Sequence, residues 1–427
     1  MPVEPTQDPF ESRLGAALRE TGDTFDTDRP ALVAAGRARG RRMRVRRRAA
    51  VFGGAVSLAL VGVGVTLVLP GTGSGSNGGA GGPASVGRSG TASATATAPE
   101  PVTGEQMITT LKSLLPEGEV SDTAGQGTHD GPGSPYVRAV FDDGRGAGAV
   151  AVGLDRVEPG SETARQWTTC PDEVVIPHDG CRTSRLPDGS VLMTLRGYEY
   201  PDRRVDTKRW QAELVTAEGQ HVSVTEWNAA AEKDAPVTRP EPPLSVKQLE
   251  KVASASAWRA VVDAIPEDPG NAKPTSGTEA PASPPPAADG AAVRETLVGL
   301  LPKEAEVVAQ GGQETEYAYV VVDDGKGRSL VQINVQPDMR DVADQLYADA
   351  ETLADGTKVA VRQGPGEKGG EGVVMWTVDT MRPDGRRVVI SAFNSGAQHT
   401  AATRETPALT IGRLREIALS PQWLKLR

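Results

Sequence analysis

Two stretches of this chain repeat each other, and the duplication constrains the fold more than any other feature of the sequence. EQMITTLKSLLP, ending at Pro116, matches AAVRETLVGLLP, ending at Pro302, and YVRAVFDDGRG (136–146) matches YAYVVVDDGKG (317–327). Further pairs follow in the same order: Trp210 with Trp376, Trp227 with Phe393, Asn228 with Asn394, Leu249 with Leu414, and Trp258 with Trp423. Several blocks in one order indicate two tandem domains of the same fold.

Each copy carries the hydrophobic spacing of an α+β domain. An opening helix ends at Leu-Leu-Pro because proline cannot continue a helix. Asp-Asp-Gly at 142–144 and 323–325 supplies the positive φ of a tight hairpin. The first copy then predicts a short helix, three strands and a closing helix, at Ser161–Thr168, 190–197, 209–217, 221–227 and Ser245–Val262. The second copy predicts the same order, at Val342–Thr352, 357–363, 373–381, 386–393 and Thr410–Leu424.

An uncharged run, AAVFGGAVSLALVGVGVTLVL at 49–69, precedes the first copy. As a helix it would be roughly 30 Å long, which matches the hydrocarbon core of a bilayer. A basic run lies directly before it and includes Arg41, Arg42, Arg44, Arg46, Arg47 and Arg48. The positive-inside rule then predicts a cytoplasmic N-terminus and extracytoplasmic repeats. A cleaved signal peptide is the alternative, but the apolar run exceeds the usual length of about 7–15 residues.

The predicted fold class is α+β, with one transmembrane helix followed by two tandem copies of an antiparallel-sheet domain flanked by helices. Low-complexity segments separate these parts, because Gly-, Ser- and Pro-rich sequence has too little to bury. The predicted parts are a cytoplasmic basic tail with a short amphipathic helix (1–48), the transmembrane helix (49–69), a disordered tether (70–102), repeat 1 (103–265), a Pro/Ala-rich linker (266–289) and repeat 2 (290–427).

Two cysteines, Cys170 and Cys181, lie in CPDEVVIPHDGC of the first repeat, and the second repeat has none. Thiols oxidise outside the cytoplasm, so we expect a local disulfide. Such a bridge would contribute about 3 kcal/mol on a loop-entropy argument. Zinc binding with His178 is the alternative, but a structural zinc site takes four ligands and no second cluster is evident.

The sequence contains no catalytic motif of the GxSxG, SxxK, HExxH or GxxxxGK[ST] type. A calcium loop at the Asp-Asp-Gly turns is an alternative to a hairpin, but the required alternation of oxygen ligands does not follow. The repeated Trp and Phe residues fall at core spacing, and Asn228 and Asn394 are the best candidates for a shared polar feature. We predict no enzymatic activity, no metal, no cofactor and no direct nucleic-acid binding. The alternative to a protein without enzymatic activity is an extracytoplasmic hydrolase.

The N-terminal tail carries apolar residues at helical spacing, and the candidate partner-binding residues are Phe10, Leu14, Leu18 and Phe25. Such a helix would gain order in a groove of a partner, whereas the alternative is a disordered or membrane-surface tail. The order of tail helix, arginine run, apolar segment, Gly/Ser tether and outer domain resembles actinobacterial membrane proteins that accompany extracytoplasmic-function sigma factors. Some of these are anti-sigma factors. The resemblance covers mainly residues 10–70 and lacks their zinc signature, His-x3-Cys-x2-Cys.

The resemblance implies that the tail binds a sigma factor and that the outer repeats sense an envelope component. We therefore expect a non-enzymatic, membrane-anchored regulatory or sensory protein, located at the cell membrane with its N-terminus in the cytoplasm. Its expected partners are the membrane bilayer, a sigma factor and an unidentified envelope ligand. The alternative is a cell-envelope binding or scaffolding protein whose anchor only tethers the repeats.

Overall fold

The computed structural model describes residues 100–130, 133–266 and 286–426, which fold into two tandem units built from the same elements. The first unit contains α1 (Gly104–Leu114), β1 (Glu119–Gln126), β2 (Tyr136–Asp142), β3 (Gly148–Arg156), α2 (Glu162–Thr168), β4 (Gly180–Arg185), β5 (Val191–Tyr198), β6 (Lys208–Val215), β7 (Gln220–Trp227), α3 (Val246–Ala253) and α4 (Ser256–Asp263).

The second unit contains α5 (Gly290–Leu300), β8 (Glu306–Gly312), β9 (Tyr317–Asp323), β10 (Arg328–Gln336), a 3-10 turn (Arg340–Val342), α6 (Ala343–Leu346), β11 (Glu351–Thr352), β12 (Lys358–Pro365), β13 (Val374–Met381), β14 (Arg387–Phe393), α7 (Ile411–Ala418) and a second 3-10 turn (Pro421–Lys425). Each unit forms one seven-stranded antiparallel sheet. The first has the order β1-β2-β3-β7-β6-β5-β4, and the second has the same order with every strand number raised by seven.

The transmembrane part of the predicted fold class is wrong for the described chain. Among the described residues no helix is long and apolar enough to cross a membrane, and α1 and α5 have only eleven residues each. Eleven residues give a helix of about 16 Å, roughly half of the hydrocarbon thickness. The structure therefore describes a tandem pair of antiparallel-sheet domains. The predicted span, 49–69, lies outside the described residues.

The core of each unit lies on one face of its sheet, where α1, α3 and α4 pack in the first unit and α5 and α7 pack in the second. In the first unit, Met107 of α1, Leu249 of α3 and Trp258 of α4 are fully buried against the inward side chains of β2, β3, β6 and β7. Leu297 and Trp423 do the same in the second unit. Full burial of one large apolar side chain contributes about 1.5–3 kcal/mol, so these anchors account for much of each domain's stability.

The closing helix predicted at Ser245–Val262 is two helices, because the chain turns at Ser254 and Ala255 between α3 and α4. The Trp258 indole N–H donates to the Val252 carbonyl across this turn, at 2.9 Å. The helix predicted at Val342–Thr352 is also wrong: the structure has the four-residue α6 there, and the predicted segment ends in the short strand β11.

Candidate functional site

The sheet faces opposite the core differ between the two units. In the second unit this face carries an apolar cluster, which we call the tyrosine face: Tyr317, Tyr319, Val321, Leu330, Val373 and Phe393. In the first unit the exposed Arg138 takes the position of Tyr319, and Ala149 takes that of Leu330. Because the first sheet forms without such a cluster, the fold itself does not require the tyrosine face.

A loop of the first unit covers this face. Residues 170–181, the stapled loop, are closed by a disulfide between Cys170 and Cys181, with Cα atoms 5.7 Å apart. Its half-buried Val174 and Val175 pack against the tyrosine face. The expected disulfide is therefore present, and because it occupies both sulfurs, they cannot ligate zinc.

Bonds within the stapled loop hold its turn, and its Asp179 amide also donates to the Arg196 carbonyl of β5 at 2.7 Å. The Val174 amide donates to the Asp172 carboxylate at 2.9 Å, and the Ile176 amide donates to the Asp172 carbonyl at 2.8 Å. The Asp172 carboxylate also lies beside the Tyr319 hydroxyl. Burial first, and then this carboxylate, raises the pKa of Tyr319 above its usual value. The phenol consequently stays protonated and can donate to the acid.

Polar side chains of α2 form the edge of the contact. The Arg165 guanidinium donates to both carboxylate oxygens of Glu314, and the Thr315 hydroxyl donates to Glu162 at 2.6 Å. About half of the Arg165 and Glu314 side chains is exposed, at 50% and 45%. An ion pair in that setting is screened by water and contributes little to stability.

Helix α2 is seated on the outer face of the first sheet. The Ser161 hydroxyl caps its N-terminus by accepting from the Ala164 amide at 3.2 Å. Trp167 stacks on His221 of β7, with 3.8 Å between ring centroids. The last residues of α2 lead directly into Cys170, so the helix sets the direction in which the stapled loop leaves the first unit.

A buried acid–base pair lies beneath this helix. His221 Nε2 is 2.6 Å from Glu213 Oε2, and the Ser223 hydroxyl donates to Glu213 at 2.8 Å. In a hydrolase triad the serine hydroxyl donates a hydrogen bond to the histidine. Here the Ser223 hydroxyl and the His221 imidazole both contact the Glu213 carboxylate instead. His221 Nδ1 has no hydrogen-bond partner among the described residues. The cluster is therefore not arranged as a nucleophile and base.

The second unit has an acid and a base at the same strand positions. Arg387 donates to both oxygens of Asp379, at 2.9 and 2.6 Å, and the Tyr347 hydroxyl donates to Asp379. The pair also reaches Gln336, which accepts from Arg387 at 2.9 Å. Each unit thus carries an acid on its sixth strand and a base on its seventh, covered by an aromatic side chain.

The asparagines singled out in the sequence have a structural role in both units. Asn228 accepts from the Lys208 amide at 2.8 Å and donates to the Arg239 carbonyl at 3.0 Å, and Asn394 makes the equivalent bonds. Arg239 then forms a two-bond contact with Asp143 in the hairpin turn. Asn228 also lines an open groove of about 560 Å³, whose walls include Tyr198 and Lys208.

The turn carboxylates are likewise engaged by the protein. Asp142 accepts from the Gly144 amide at 2.8 Å and from the Gly146 amide at 3.1 Å, so the hairpin interpretation holds. Within the described part of the chain, no group of three or more His, Cys, Asp or Glu side chains is arranged to hold a metal ion.

Of the predicted site residues, the structure brings together Cys170 and Cys181. The tail residues Phe10, Leu14, Leu18 and Phe25 and the arginines at 41–48 lie outside the described residues. The tyrosine face was missed, because YAYVVV has the spacing of an ordinary core strand. The available signal was the difference between the two copies at Arg138 and Tyr319.

No protein family matches this chain, and no curated protein matches it in sequence. Among solved structures, a crystal structure of MucB in complex with MucA(peri) is 12% identical, with 74% of this chain and 97% of that chain covered, at a TM-score of 0.16. A crystal structure of MucB is 13% identical, with 74% and 96% covered, at a TM-score of 0.13. These TM-scores are too low for the likeness to support a fold or a function.

Proposed function

We propose that this chain is a non-enzymatic sensory protein whose duplicated domain works on the extracytoplasmic side. The contact between the stapled loop and the tyrosine face carries the proposal. An apolar face that the fold does not require is covered by a loop from the other repeat. A sensor needs an element with two arrangements that a signal can bias, and a loop that docks and releases is such an element.

The two valines and the ion pair of the loop side contribute only modestly to docking. Full burial of a valine contributes about 1.5–3 kcal/mol, and Val174 and Val175 are only half-buried. The ion pair at the edge adds little because it is exposed. A partner that binds the released state more tightly by a few kcal/mol would therefore shift the balance between docked and released loop substantially.

Disulfide chemistry supports the extracytoplasmic location. Disulfides persist in oxidising compartments and are rare in the cytoplasm, and the bridge between Cys170 and Cys181 closes the loop on which the contact depends. We further propose that residues 1–48 face the cytoplasm and bind a sigma factor. The arginine run and the apolar spacing of Phe10, Leu14 and Leu18 support that part.

Capture of sigma factors by the full chain tests the regulatory part. We expect the wild-type chain to capture one sigma factor of its source organism, and Leu14→Asp with Leu18→Asp to abolish the capture. Glu11→Gln, on the polar side of the same segment, is the matched control and should capture normally. If no sigma factor is captured at micromolar concentration, the chain is instead an envelope binding or scaffolding protein.

Release of the stapled loop tests the sensory part. Val174→Asp with Val175→Asp should displace the loop and change the amount of sigma factor that the full chain captures. Val298→Asp with Val361→Asp is the control, because those two valines are 37% and 44% exposed and neither belongs to the tyrosine face or packs against it. Equal capture by both double variants would contradict coupling between the loop and the tail.

A further inference from the structure

We propose that the tyrosine face is a peptide-binding site and that the stapled loop is its intramolecular ligand. The inference rests on the proposed function and names its partner class: a segment of another protein that carries a carboxylate two residues before a pair of β-branched aliphatic side chains. Asp172, Val174 and Val175 present that pattern within this chain. A segment with the same chemistry would compete with the loop for the face.

The contacts of the loop define what the face recognises. Val174 and Val175 supply apolar surface to a cluster whose Tyr319 and Phe393 side chains are fully buried. The Asp172 carboxylate lies beside the Tyr319 hydroxyl. The face thus offers an apolar floor with the phenolic groups of Tyr317 and Tyr319, which suits a ligand with an acid and adjacent aliphatic groups.

The second sheet is shaped to hold the Tyr319 ring. Gly311 of β8 lies under that ring, and a Cβ atom at this position would stand 2.5 Å from the ring edge. Any other residue would therefore push the phenol away from its place. This close approach positions the hydroxyl toward the edge where Asp172 lies.

The stapled loop has the form of a preorganised ligand. Its ends are joined by the disulfide, and its turn is held by amide bonds to Asp172. A segment that is ordered before it binds loses less conformational entropy on docking. The isolated sequence CPDEVVIPHDGC, closed by its disulfide, should therefore keep the bound shape and can serve as the probe.

The experiment measures binding of that labelled cyclic peptide to the full chain by fluorescence anisotropy. The wild-type chain should bind it weakly, because its own loop has a high effective concentration at the face. Val174→Asp with Val175→Asp should bind the peptide at least about tenfold more tightly. Adding Tyr319→Ala to that variant should return the affinity to the wild-type level or below.

Two controls separate specific binding from unfolding. A cyclic peptide with serine in place of both valines should not bind, and the control Val298→Asp with Val361→Asp should behave like the wild type. If the loop variant loses its circular-dichroism signal, Arg165→Glu serves instead, because it replaces a weak attraction with repulsion from the Glu314 and Glu162 carboxylates and leaves the loop sequence intact. It should also bind the peptide more tightly than the wild type.

The proposal would be overturned if the wild type and the folded loop variants bound the cyclic peptide with equal affinity. It would also be overturned if Tyr319→Ala left that affinity unchanged. This failure differs from failure of the proposed function. If a loop variant alters sigma-factor capture but does not bind the peptide, the sensory function stands and the proposed class of peptide ligand is wrong. If a variant binds the peptide but does not alter capture, the peptide-binding site stands and the coupling between the loop and the tail is wrong.

Discussion

The Trp167 indole stacks on the His221 imidazole at an interplanar angle of 20°, and this stack joins α2 to the first sheet. Glu213 holds the imidazole from the strand side, and the stapled loop begins just beyond the helix. The stack therefore connects the buried Glu213–His221 pair of the first repeat to the contact between the stapled loop and the tyrosine face of the second repeat.

Trp167→Ala should loosen α2 and the stapled loop. The substitution removes the stack on His221, and we expect it to lower the free energy of unfolding by about 1–3 kcal/mol, the usual range for a half-buried contact residue. Hydrogen exchange of the amides at 170–181 should become faster. Trp167→Phe keeps an aromatic ring there and should restore most of the protection. Unchanged exchange at 170–181 in the alanine variant would contradict the seating role of the stack.

Asp379→Asn should destabilise its repeat more than Glu213→Gln destabilises the other. Removal of the Asp379 charge leaves Arg387 buried and unpaired, which costs about 3–5 kcal/mol. An arginine side chain is always charged, whereas an imidazole need not be, so we expect a smaller loss in the first repeat. Urea denaturation of both variants measures the difference. Equal losses would show that the two pairs do not differ in this way.

Glu226→Gln should stabilise the first repeat at high pH. Burial raises the pKa of Glu226 well above its usual value, although the Leu244 amide and the charge of Arg239 oppose this effect. A raised folded-state pKa means that stability is fully present below the unfolded value of about 4.3 and is lost as pH rises toward the folded value.

The glutamine variant should therefore match the wild type near pH 4 and exceed it near pH 8. Above its unfolded pKa the wild type must protonate Glu226 or bury its charge on folding, and up to the folded pKa this costs about 1.4 kcal/mol per pH unit that the glutamine variant does not lose. Thermal unfolding at both pH values gives the comparison. A gain of equal size at pH 4 would contradict the titration of Glu226.

Cys170→Ser with Cys181→Ser should lower the stability of the first repeat by about 3 kcal/mol, as loop entropy predicts for a short closed loop. The second repeat contains no cysteine and should keep its own unfolding transition. Differential scanning calorimetry distinguishes the two transitions. Reductant should shift the wild-type protein to the position of the double variant and leave that variant unmoved. A second transition that moves as well would show that the loop stabilises both repeats.

Part of this architecture could be predicted from local patterns. The Asp-Asp-Gly hairpins and the Trp258 and Trp423 anchors follow from turn chemistry and apolar spacing over a few residues. Strands β1, β4 and β8 were missed because they carry few apolar residues, and β11 was missed because it has only two residues. Periodicity cannot reveal a strand that presents no apolar face.

The sequence by itself determined the duplication, the antiparallel hairpins and the disulfide, because each depends on residues close together in the chain or on a match between copies. The contact between Val175 and the tyrosine face was decided only by the tertiary structure. So was the pairing of Arg165 with Glu314, which are 149 residues apart. Apolar alternation states that a side chain is buried, but not which partner buries it. That partner depends on where the folded sheets bring distant segments together.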